Sequence, residues 1–219
     1  MNASAAEIRQ LRLPLQQETP QRASDLAISE ANAAGVAALT TWPEAPGAIL
    51  ALFGPAGCGK SHLAAAWVER TGAIALHGAE AALVDPLELE GRPVLLDRAQ
   101  DADDESLFHL INLTQSGGGA LLLVSRDPPA SWATDLPDLR SRLNAIRTVG
   151  IEAPDDVVFA AMLRRAFASR NITPADELID YLVRRIDRSA DAAEAVVDRL
   201  DALHLSLIHI SEPTRLGMI

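Results

Sequence analysis

The chain has 219 residues, 48% apolar and 22% charged, ordinary globular composition and enough for one α/β domain plus a small appendage. Its formal net charge is −11 and Lys60 is the single lysine, which disfavours strong direct DNA binding through phosphates. No apolar run approaches the roughly 18 residues of a membrane span, the polar start carries no signal-peptide apolar region, and the lone Cys58 allows no disulfide framework, so a reducing cytoplasm fits.

Residues 1–21 read as a flexible polar arm, interrupted by one island, Gln10-Leu11-Arg12-Leu13-Pro14-Leu15. Residues 25–41 are Ala-rich, with Ile28, Val36 and Leu39 at helical spacing, and Trp42-Pro43-Glu44-Ala45-Pro46-Gly47 ends that helix. The apolar run 49–53 is a buried strand. It leads into Gly54-Pro55-Ala56-Gly57-Cys58-Gly59-Lys60-Ser61, which fits G-x-x-x-x-G-K-[ST] and is followed by a helix over 61–70. Strand, loop and helix in that order are the context a phosphate-binding loop requires. Its glycines turn backbone N–H groups inward, Lys60 reaches the β- and γ-phosphates, and Ser61 holds Mg²⁺. Cys58 in that loop reads as a small filler rather than a reactive thiol.

Residues 73–76 form a short apolar run, and 93–97 a strand closed by Asp97, a carboxylate placed to hold the Mg²⁺ water shell. Arg98 follows where a hydrolysing enzyme usually has a second acid, which argues against efficient self-catalysed hydrolysis. A helix over 105–114 puts Leu107, Leu110 and Ile111 on one face and stops at Gly117-Gly118-Gly119. Residues 120–125 form a strand ending in Ser125, a polar position able to sense a γ-phosphate. Arg140 and Arg142 alternate with Leu139 and Leu143, and by themselves read as solvated helix positions. An edge strand is expected over 145–149. Continuous apolar strands between helices indicate a parallel sheet covered on both faces. After Pro154 the signals are helical only, over 155–170, 174–186 and 189–204, a small lid on an α/β core spanning 22–153. Residues 205–219 resemble a translated sequencing adapter, so the native end is expected near His204, and this tail is kept out of the fold.

In order, these segments resemble the AAA+ core of the DnaA family. The match of Gly54 to Leu63, His62 included, is to that family's loop; that of Leu121 to Pro129 is to its sensor strand; and that of Leu139-Arg140-Ser141-Arg142 is to the segment carrying its arginine finger, which places the finger on Arg142. The arm and the run Leu182-Val183-Arg184-Arg185-Ile186-Asp187-Arg188 are similar to the Hda-type regulatory branch. The resemblance implies that Gln10, Leu11, Leu13, Pro14 and Leu15 bind the β-subunit sliding clamp. It also implies that ADP or ATP with Mg²⁺ is the cofactor, that DnaA is the partner, that a homodimer is possible, and that the protein works in the bacterial cytoplasm near the nucleoid through the clamp. The family's lid arginine, which touches nucleotide, is replaced here by Asp191, with Arg188 three residues away. Two other functions fit the sequence less well: a helicase-loader-type ATPase, disfavoured by Arg98 and Asp191, and a small-metabolite kinase, for which no acceptor-binding constellation is visible.

Overall fold

The computed structural model describes residues 27–210, with side chains to residue 203. The clamp-like island, the rest of the arm and residues 211–219 lie outside the described residues. The chain runs α1 (Ala33–Thr41), β1 (Ala48–Phe53), α2 (Lys60–Thr71), β2 (Ile74–His77), α3 (Pro86–Leu89), β3 (Pro93–Asp97) and α4 (Asp104–Gly117). It continues with β4 (Ala120–Ser125), α5 (Pro137–Ala145), β5 (Arg147–Gly150), α6 (Asp156–Ala168), α7 (Asp176–Val183) and α8 (Ala190–Ile210).

The five strands pair in the order β2-β3-β4-β1-β5, every described pair parallel. Central β4 is buried along its whole length, and Leu50, Leu52, Leu121, Leu122 and Leu123 are fully enclosed. Each such leucine contributes about 1.5–3 kcal/mol relative to exposure, so the β1–β4 pair anchors the molecule. Alternation along the strands splits the core into two layers. Leu96, Leu121 and Leu123 meet Leu107, Ile111, Leu139 and Leu143 on one side. Leu50, Leu52 and Leu122 meet Leu63, Trp67 and Trp42 on the other. Tryptophans 42 and 67 pack with centroids 5.1 Å apart, and Arg70 donates to the carbonyls of Leu39 and Trp42, binding α1 to α2. A separate small core of Phe159, Leu163, Phe167, Ile179 and Val197 joins α6, α7 and α8 into the expected lid.

Most expected elements form within a few residues of their sequence limits, and the differences have local causes. Helix α1 starts at Ala33 rather than residue 25. The Asn32 side chain accepts from the Ser29 N–H and donates to the Ala27 carbonyl, holding the preceding residues in a turn. The strand expected from residue 145 starts at Arg147, because Ala145 is the last residue of α5. Between β2 and β3 the chain makes a short 3-10 segment and α3, neither marked by periodicity in so short a stretch. Among the described residues no helix is long and apolar enough to cross a membrane.

Among the described residues three aspartates, Asp85, Asp103 and Asp155, start helices by capping, the first by accepting from the Leu87 N–H before α3. Asp103 accepts from the Ser106 N–H before α4, and Asp155 accepts from the Val158 N–H before α6. Hydrogen bonds from Ser106 hold the Asp103 carboxyl below the usual carboxylate range. Those from Ser29 and Val158, with the Arg188 charge, do the same for Asp155. A folded-state value lowered in this way adds stability above the ordinary carboxylate range and loses it as pH falls through the folded value. Asp155→Ala should therefore cost about 1 kcal/mol at pH 6. The cost should shrink towards pH 3, where the wild-type carboxylate is itself protonated, as measured by denaturant unfolding at both pH values.

Candidate functional site

Every strand of a parallel sheet ends on the same edge, so the loops following β1, β3 and β4 converge there. The phosphate-loop residues Gly54, Pro55, Ala56, Gly57, Cys58 and Gly59 leave β1, and α2 begins at Lys60. Gly57 and Gly59 hold left-handed backbone conformations, φ 70° and 95°, which an L side chain strains to adopt. Lys60 is buried, and its Nζ donates to the carbonyls of Gly54 at 2.8 Å and Pro55 at 2.7 Å. The lysine is thus folded back against its own loop. Ser61 is exposed in the first turn of the 12-residue α2, where N–H groups and the helix dipole favour an anion. The Cys58 side chain is 3% exposed, packs with Leu52, Leu63 and Ile151, and its Sγ accepts from the Lys60 Nζ at 3.6 Å.

Asp97 and Ser125 stand on this same edge. Asp97 closes β3 half-buried, and its Oδ1 accepts from the Arg98 N–H at 2.9 Å. Arg98 is exposed with φ 48°, so its side chain starts a turn rather than extending the strand. Ser125 pairs in register with Phe53, immediately before the loop, and the Gly54 N–H donates to the Arg126 carbonyl. The Ser125 hydroxyl is buried and donates to the Asp127 carbonyl at 2.8 Å, which also accepts from the Trp132 indole. In this arrangement Ser125 shapes its own turn.

The lid sits directly on the phosphate loop. The Ala190 N–H at the start of α8 donates to the Gly57 carbonyl at 3.1 Å. A Cβ at Gly57 would come within 2.7 Å of the Ser189 Cβ and 3.0 Å of the Ala190 nitrogen, and one at Gly59 within 3.3 Å of the Met162 Cε. One turn further along α6, the Arg165 guanidinium hydrogen-bonds the His62 ring, 3.0 Å from Nε2. Asp191 is exposed in the first turn of α8, next to this junction. Arg188 pairs with Asp156 at the start of α6. The Arg165–His62 contact was not marked by sequence reasoning, since the two residues are 103 positions apart and each looks ordinary on its helix.

Arg142 lies elsewhere. It sits near the end of α5, donates to the Gln115 Oε1 and lies 5.1 Å over the Phe108 ring. With Gly47, Ile49, Ile111, Gln115 and Ile146 it lines a shallow hollow where β1 begins. The phosphate loop follows the other end of β1. The strand's six residues span about 17–20 Å at roughly 3.3 Å per residue.

These features define a parallel α/β fold with a P-loop motif and a helical lid. No family model matches the chain. It is 29% identical over 103 residues to the chromosomal replication initiator protein DnaA of Chloroflexus aggregans, 47% of this chain and 22% of that protein. It is 28% identical over 98 residues to DnaA of Cutibacterium acnes, 45% of this chain and 20% of that protein. The aligned region thus spans about a fifth of these relatives' length. Domain III of Thermotoga maritima DnaA superposes with a TM-score of 0.71 at 16% identity, covering 86% of this chain and 90% of that one. AMPPCP-bound DnaA from Aquifex aeolicus superposes with a TM-score of 0.64 at 18% identity, covering 84% and 65%. The fold is that of DnaA domain III, and part of the sequence is similar to DnaA.

The lid–loop junction makes a stability prediction. Gly57→Ala should cost about 1–3 kcal/mol through combined backbone strain and displacement of α8. Gly72→Ala, at φ 67° with open space around it, should cost only the left-handed strain of about 1 kcal/mol. Denaturant unfolding of the two variants measures the difference.

Proposed function

We propose that this chain is a DnaA-related regulator that binds ADP or ATP and supplies Arg142 in trans to ATP held by DnaA. Several features of the loop edge fit a nucleotide: inward-turned glycines, a buried lysine whose ammonium is held only by carbonyl oxygens and a sulfur, and a helix N-terminus. In this reading Gly54 to Gly59 wrap the phosphates through their N–H groups and Lys60 moves from its loop carbonyls to the phosphate oxygens. Ser61 and Asp97 share a Mg²⁺ with the nucleotide, and His62 stands at the first turn beyond. Among the described residues no group of three or more His, Cys, Asp or Glu side chains gathers as a metal site of its own, so the ion would depend on the phosphates.

The observation that carries the trans assignment is the separation of Arg142 from the chain's own loop by the length of β1. A guanidinium there cannot reach the phosphates its own loop would hold. Its Gln115 and Phe108 partners keep it extended at the surface, where another protein's nucleotide can meet it. An arginine presented to a phosphoryl-transfer centre stabilises charge on the transferring group. ATP consumed in this way belongs to the partner and leaves it in the ADP form. The island Gln10 to Leu15 would tether the chain to the β-subunit sliding clamp. Proline-stiffened leucines entering an apolar pocket lose little entropy, and the tether raises local concentration. Such a regulator would work in the cytoplasm, at the nucleoid through the clamp, and a homodimer is compatible with it.

Arg142→Ala should abolish the stimulated part of DnaA-ATP hydrolysis, a loss on the order of a thousandfold in that component, while clamp binding stays intact. Hydrolysis measured with clamp-loaded DNA checks it, and retained stimulation would refute the assignment. Replacing Leu13 and Leu15 together by Ala should remove clamp pull-down. Unchanged clamp binding by that double variant would eliminate the tether.

A further inference from the structure

Resting on the nucleotide-binding reading above, we propose that Arg165, on the first lid helix, is the lid's phosphate-contacting arginine. Arg188 and the start of α8 do not supply that contact.

The other lid arginines with described partners are committed within the lid. Arg164 pairs with Asp176 at 3.0 Å, Arg170 with Asp198, and Arg188 with Asp156, while Arg185 lies 4.0 Å over the Tyr181 ring. Arg165 alone among these reaches the core, and what it meets is the imidazole of His62 rather than a carboxylate. Ordering a half-buried arginine costs about 2 kcal/mol of side-chain entropy, which a ring nitrogen repays poorly and an anion repays well. His62 follows Ser61, in the helix turn whose N–H groups and dipole favour negative charge. Met162, three residues before Arg165 on the same face of α6, packs beside Gly59. The face that carries Arg165 is therefore laid along the phosphate loop.

The α8 side offers no cation. The Ala190 N–H is spent on the Gly57 carbonyl, and the next side chain is the carboxylate of Asp191, which repels phosphate. Arg188 is drawn to the start of α6 by Asp156, with Asp155 close enough to feel its charge. A guanidinium fork suits two phosphate oxygens at once, so Arg165 has both the position and the geometry for the contact.

Equilibrium binding of ADP and of adenosine by the full chain, read by calorimetry, tests this. Arg165→Gln should weaken ADP binding about tenfold or more and leave adenosine binding within twofold of wild type. Arg165→Lys should recover part of the ADP affinity, and Arg188→Gln should change neither ligand. Arg165→Met, which keeps the stem packed on the lid, serves if the glutamine variant fails to fold. An ADP affinity within twofold of wild type in Arg165→Gln or Arg165→Met overturns the proposal. So does an equal loss of both ligands, which would mark a purely structural contact. If Lys60→Ala loses ADP binding and Arg165→Gln does not, only the Arg165 role falls. If wild type and Lys60→Ala alike bind no ADP, the nucleotide reading falls first and the Arg165 role with it.

Discussion

The arrangement of this molecule hangs on the missing side chain at Gly57. Its bare Cα lets Ser189 and Ala190 settle on the phosphate loop, and its carbonyl takes the first N–H of α8. Any Cβ there would push the lid off the core. The left-handed backbone that brings the loop to the lid is one that glycine adopts without strain. From this contact follow the placements of Asp191 at the junction, Met162 against Gly59, and Arg165 on His62. Phosphate-binding loop and interdomain joint are thus the same residues, so whatever occupies the loop would be felt by the lid. A small domain joined to a core through a few polar contacts is a natural place for such coupling.

Charge is distributed so that the two ends of the sheet do different work. At the carboxyl edge lie the buried Lys60 at the start of α2, Asp97 at the end of β3, and Arg165 on His62. At the amino edge Arg142 stands over Phe108, braced by Gln115. A chain with net charge −11 and one lysine carries little that would hold a nucleic-acid backbone.

β1, β3 and β4 were readable from sequence because each is built on an uninterrupted apolar run buried on both faces, whereas the largely exposed β5, Arg147 to Gly150, offers no such run. β3 and β4 start and stop at their sequence limits. The lid helices were readable from their spacing, but their ends shifted inward or outward by a few residues because capping and turn hydrogen bonds, not periodicity, set a terminus. The 3-10 segment and α3 before β3 were not readable at all, being too short to show a period. The loop, Asp97 and Ser125 share one edge because Asp97 and Ser125 close their strands, the loop follows one, and strand ends in a parallel sheet meet. Ser125 nonetheless turns its hydroxyl into the Asp127 turn, a choice made by a hydrogen bond two residues away that no motif encodes.

Local sequence therefore determined the strand–loop–helix unit around Lys60, the parallel sheet, and the separation of an α/β core from a helical lid. All of these follow from short-range backbone preferences and from the need to hide apolar runs. Tertiary structure decided which side chains face one another across long gaps. Arg165 meets His62, Arg188 pairs with Asp156, and Arg142 stands at the far end of β1 from its own loop. Such pairings depend on how the lid is seated and which end of a strand a helix returns to. Those are set by the packing of whole elements, for which residue spacing carries no signal.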